Sequence, residues 1–91
     1  MKIPNKIKVG NLTYIIKIEK ELDAHGAHDC IGNLNEILLN SNLTGDKLRN
    51  VFFHELTHAI LYEIGAMDET ENELFVQSLA NELDKLFELK K

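Results

Sequence analysis

The sequence predicts an α+β fold: a small, antiparallel-rich sheet of three to four strands packed on two main helices, in one domain spanning residues 1–91. Three observations carry this expectation. The first forty residues hold short alternating or β-branched runs separated by turn residues. Residues 45–64 form an apolar run of helical period with no proline, closed by Gly65. Beyond it, Leu74, Phe75, Val76, Leu79, Ala80, Leu83, Leu86 and Phe87 make a broad apolar stripe at helical spacing. An apolar fraction of 44% argues for a packed core rather than disorder, although 91 residues lie near the small end of what folds without staples.

In chain order, Lys6-Ile-Lys-Val9 alternates polar and apolar, Gly10-Asn11 is a turn, and Leu12–Ile18 resumes with β-branched and aromatic residues. Two strands around a Gly-Asn pair predict an antiparallel hairpin. Residues 19–29 read as a polar loop. Cys30-Ile31, Gly32–Asn35 and Glu36–Leu39 read as a short strand, a turn and another strand. Glu36–Leu39 is the candidate edge for pairing with an extended peptide.

Thr44 is the expected N-cap of a helix from about Gly45 to Ile64, with Asp46 in its first turn. Both flanks of this helix are apolar, which predicts a central, mostly buried element with the sheet on one side and the last helix on the other. The start of that last helix is ambiguous, because Asp68–Glu71 and Thr70–Glu73 both match a capping box.

The net charge of −5 is unevenly spread: residues 1–22 carry +3 and residues 68–91 carry −4. No basic stripe is present, so nucleic acid is not an expected partner. Cys30 is the sole cysteine, which excludes an intrachain disulfide and suits a reducing compartment. No apolar run approaches a membrane span and the N-terminus lacks a signal-peptide core, so the expectation is a cytoplasmic protein without a membrane partner. Nothing in the sequence specifies an oligomeric state.

The chemistry centres on His54-Glu55-Leu56-Thr57-His58. Histidines at i and i+4 lie one above the other on a helix, so both imidazoles can reach a single metal ion. Glu55, at i+1, points about a quarter-turn away, where a carboxylate can hold and deprotonate a water on that metal. The competing explanation is a pair of merely structural histidines. Their apolar flanks Val51, Phe52, Phe53, Ala59, Ile60 and Leu61 argue for the metal, since buried ring nitrogens need partners.

Zinc in a catalytic site takes three protein ligands and keeps one open position. The third ligand must come from beyond Gly65, among Asp68, Glu69, Glu71 and Glu73. Glu71 and Glu73 both fall in the first turn of the last helix, where the helix dipole favours a carboxylate. If Thr70 is the cap, Glu73 is engaged and Glu71 is free; if Asp68 is the cap, the roles reverse. A second site built from His25, His28, Asp29 and Cys30 has the right residue types but no regular element to hold them, and Cys30 beside Ile31 reads better as a small buried side chain.

His54-Glu-Leu-Thr-His-Ala-Ile-Leu61 followed by Glu69-Thr-Glu-Asn-Glu-Leu-Phe75 resembles the ImmA/IrrE group of phage- and mobile-element-associated zinc metallopeptidases. The resemblance covers roughly residues 30–83. It implies a minimal zincin-like fold, zinc held by His54, His58 and Glu71, peptide-bond hydrolysis, and a protein or peptide as substrate. Asn72-Glu73 stands where that group usually has Ala-Asn, and Val76-Gln77 where it usually has small residues. The reading that follows is a zinc-dependent metallopeptidase with Glu55 as general base. The alternatives are a catalytically silent, zinc-stabilised protein-binding module and, behind it, a metal-free helix–sheet adaptor.

Overall fold

Residues 6–19 build a hairpin because their side chains alternate and Gly10 permits the turn. The computed structural model describes residues 3–19, 26–29 and 35–87. Strands β1 (Lys6–Val9) and β2 (Leu12–Glu19) pair antiparallel, with Val9 opposite Leu12 across Gly10-Asn11. Gly10 takes φ 62°, a conformation that strains any residue with a Cβ. Along β2, Tyr14 and Ile16 are buried while Thr13, Ile15 and Lys17 face solvent, the period of two that a one-faced sheet requires.

Two further strands complete the sheet, β3 (Gly26–Asp29) and β4 (Glu36–Asn40), in the order β1-β2-β4-β3. β4 runs parallel to β2 and antiparallel to β3, so the sheet is mixed, with two of its three pairings antiparallel. This corrects the sequence reading twice. Residues 26–29, expected in a loop, form a strand, because hydrogen bonding to β4 overrides a polar composition with no alternation of its own. Glu36–Leu39, expected at an edge, is internal; among the described residues the edges are β1 and β3. The strand expected at Cys30-Ile31 lies outside the described residues.

Helix α1 (Gly45–Glu63) lies across the inner face of the sheet. Its bounds match expectation, with Gly65 at φ 79° after the last turn. Thr44 is extended, at φ −142° and ψ 162°, but its side chain makes no capping hydrogen bond. Phe52, Leu56 and Ala59 pack with Tyr14, Ile16, Ile37 and Leu39 in the core. Tyr14, fully buried, donates its hydroxyl to Glu63 Oε2 at 3.0 Å and so fastens β2 to the end of α1.

The segment expected to be one helix is two. α2 (Met67–Thr70) is a single turn, and α3 (Glu73–Leu86) begins only after Asn72, whose side chain accepts from the Phe75 backbone N–H at 3.1 Å. Neither expected cap is used. α3 packs along α1 through Val76 and Ala80, with Leu83 partly buried, while Leu74 and Leu86 are exposed, so the buried stripe is narrower than the apolar spacing suggested. Arg49 ties the two helices together: its Nε bonds to the Asp84 carboxylate and its Nη2 donates to the Asp84 carbonyl at 2.9 Å. Among the described residues, no helix is long and apolar enough to cross a membrane.

Candidate metal centre

Asn50, His54 and His58 recur every four residues on α1, and Glu73, Gln77 and Asn81 recur every four on α3. Four residues bring side chains back to nearly the same helix face, so each set forms a polar row. The rows run in opposite chain directions and meet rung by rung. Asn50 Nδ2 donates to Asn81 Oδ1 at 3.5 Å, His54 Nδ1 lies 2.8 Å from Gln77 Oε1, and His58 Nε2 lies 3.4 Å from Glu73 Oε2.

The last two rungs converge. Glu73 Oε2 is also 3.1 Å from His54 Nε2, and the imidazole centroids stand 4.9 Å apart at 74°. Both Nδ1 atoms face away from this point, one to Gln77 and the other to Thr70 Oγ1 at 2.9 Å. Among the described residues, His54, His58 and Glu73 are the group able to hold a metal ion, with ligand atoms within 4.8 Å of one another. The two histidine–carboxylate spacings, 3.1 and 3.4 Å, are close to the edge of about 3.4 Å of a tetrahedron with bonds of about 2.0–2.1 Å. Together the three side chains offer two imidazole nitrogens and one carboxylate oxygen, a donor set of the kind zinc takes.

Glu71, which the resemblance implied as third ligand, is not brought to the histidines. It caps the C-terminal end of α2 and is exposed. With Asn72 as the cap, Glu73 opens α3 instead of serving a capping box, and its carboxylate stands in the first turn between the two imidazoles. Thr70 has been drawn from capping to His58. Asp68 and Glu69 are exposed on α2 and also stand outside the group.

Glu55 is 8% exposed, unusually enclosed for a carboxylate, and sits on α1 between the two histidine positions. Thr57, fully buried, bonds back to the Phe53 carbonyl at 2.7 Å and takes no part in the group. His25 and Cys30, and the side chains of His28 and Asp29, lie outside the described residues. An apolar pocket of about 640 Å³, lined among others by Ile7, Val9, Phe52, Leu56, Ile60 and Leu86, opens elsewhere along α1 and includes neither histidine.

Thr70, Gln77 and Asn81 were not found by motif reasoning. A usable signal was present in the four-residue spacing of Glu73, Gln77 and Asn81, matched by the same spacing of Asn50, His54 and His58. The chain matches no protein-family model, no curated protein and no solved structure.

Proposed function

We propose that the protein is a zinc-dependent metallopeptidase of minimal zincin-like form, with His54, His58 and Glu73 as ligands and Glu55 as general base. The observation that supports it most is the convergence of two imidazole Nε2 atoms on one carboxylate oxygen, at 3.1 and 3.4 Å, while both Nδ1 atoms are tied back. Two imidazole nitrogens and a carboxylate oxygen this close are spaced to share one cation once the nitrogens present their lone pairs. Zinc, when bound, supplies the Lewis acidity that activates a water and polarises a carbonyl.

The chain's own groups do the rest. The histidine pair and Glu73 fix the position at which the carbonyl is presented. Glu55 takes the proton of the attacking water and delivers it to the leaving amine nitrogen. Its enclosure keeps bulk water from competing for that proton. An extended peptide has β3 and β1 as the available sheet edges, not β4.

The test compares wild type with Glu55→Gln, both loaded with one equivalent of zinc, against a broad peptide library. Glu55→Gln is expected to retain zinc and fold while losing hydrolysis by about 100-fold or more. Equal cleavage by both forms removes Glu55 from the chemistry. A wild type that holds zinc and cleaves nothing favours the protein-binding module instead, and one that takes up no zinc removes the metal.

A further inference from the structure

We infer that Gln77 is a positioning residue for the metal centre, holding His54 in the tautomer that offers Nε2 to the ion. This rests on the assignment of His54, His58 and Glu73 as ligands. A side-chain amide has one accepting and one donating end, and which end meets a histidine decides which ring nitrogen carries the proton. Gln77 donates its Nε2 to Asn81 Oδ1 at 2.8 Å, and the same oxygen accepts from Asn50 Nδ2 at 3.5 Å. With Asn81 receiving from both sides, the donating end of Gln77 is engaged and only its Oε1 is turned to His54, 2.8 Å from Nδ1. Nδ1 therefore donates, and the lone pair is left on Nε2, which faces Glu73 Oε2 at 3.1 Å.

The other histidine is held differently. His58 Nδ1 meets the Thr70 hydroxyl at 2.9 Å, and a hydroxyl can donate or accept. Thr70 therefore anchors the ring but does not dictate its tautomer. The two Nδ1 contacts therefore differ in kind: the Gln77 contact selects a tautomer, and the Thr70 contact does not. A hydrogen bond from the outer ring nitrogen of a ligating histidine both orients the ring and raises its basicity, and its loss commonly weakens metal binding about 10- to 100-fold.

The test uses the full chain in two measurements. In metal-free, ¹⁵N-labelled protein at pH 8, long-range ¹H–¹⁵N correlations read the His54 tautomer directly. Wild type is expected to carry the proton on Nδ1, and Gln77→Leu is expected to shift it toward Nε2. In competition with a chromogenic chelator, Gln77→Leu should bind zinc about 10-fold or more weakly than wild type. Gln77→Glu, which keeps an acceptor at that place, should recover affinity to within about threefold of wild type. Asn81→Ala releases the amide and is the second variant should Gln77→Leu fail to fold; a several-fold loss is expected.

Wild-type tautomer and wild-type affinity in Gln77→Leu overturn the inference. So does a Gln77→Glu form as weak as Gln77→Leu, since packing of the amide would then be what matters. A wild type that takes up no zinc, with the tautomer shift still present in Gln77→Leu, overturns the ligand assignment and leaves the Gln77 contact standing.

Discussion

One face of α1 meets the sheet through Phe52, Leu56 and Ala59, and another meets α3 through Asn50, His54 and His58. On the sheet side, the Tyr14–Glu63 hydrogen bond apart, these contacts are apolar and non-directional, and their strength follows buried area. On the α3 side, beside the apolar packing of Val76 and Ala80, the polar row meets atom by atom at or near hydrogen-bonding distance. The first arrangement tolerates small rearrangements and supplies stability. The second supplies little stability but fixes positions to within tenths of an ångström, which is what a metal or a proton transfer demands. The helix is thus a rigid bar mounted on grease along one side and toothed along the other.

Substitutions on each side should separate these roles. Phe52 is 1% exposed and packs edge-on to Phe53 with centroids 5.3 Å apart. Phe52→Ala should therefore cost about 3–5 kcal/mol of unfolding free energy in metal-free protein, read by urea titration. A loss below about 1 kcal/mol would mean that the sheet face is not the main support.

On the toothed side, Glu73→Ala should lower zinc affinity on the order of 100-fold. Its effect on metal-free stability should be small, because this carboxylate is 68% exposed. Glu71→Ala should leave both quantities near wild type. The opposite ranking of the two variants in chelator competition would return the third ligand to Glu71. Zinc itself should raise the melting temperature of wild type and of Glu71→Ala, but much less that of Glu73→Ala, since a ligand bound only by the folded state stabilises it.

The smallest effect concerns the junction where the toothed row begins. Asn72→Ala removes the side-chain acceptor for the Phe75 N–H and should cost about 1 kcal/mol. Because the cap sets where α3 starts, it should also weaken zinc binding slightly. Thr70→Val gives the complementary control, deleting the His58 contact while leaving the cap intact. Should Asn72→Ala leave thermal stability unchanged, the start of α3 is fixed by α1 alone.

The same contrast explains which parts were legible in the sequence. The bulk pattern was readable wherever many residues vote together. Nineteen residues of α1 carry a helical period, and β2 alternates cleanly through Tyr14 and Ile16. The meeting of His54 and His58 was readable because a four-residue spacing on a helix is enough to bring two side chains together. β3 was not, because Gly26–Asp29 owes its strand state to pairing with β4 and not to its own residues. Which carboxylate stands beside the histidines was not legible for a related reason. Asp68, Thr70 and Asn72 are all competent caps within a few tenths of a kcal/mol of one another, so one tertiary hydrogen bond can decide among them. Thr70 goes to His58, Asn72 takes the cap, and the carboxylate in position becomes Glu73.

The registers of the sheet have a consequence for the order in which it assembles. In the β1–β2 hairpin the paired residues draw closer in sequence toward the turn, from Lys6 opposite Ile15 to Val9 opposite Leu12, so each rung closes beside one already made. Between β2 and β4 the separation never shrinks: Ile15 faces Glu36 and Glu19 faces Asn40 at the same distance along the chain. A parallel joint has no short loop from which to zip, and its first rung must close the whole intervening segment, at an entropic cost about 2 kcal/mol above that of the hairpin's first rung. That joint also carries Ile16 and Ile37, the floor on which α1 lies. The hairpin and the helices can therefore form early and fleetingly, and the chain commits to its fold when β4 docks beside β2.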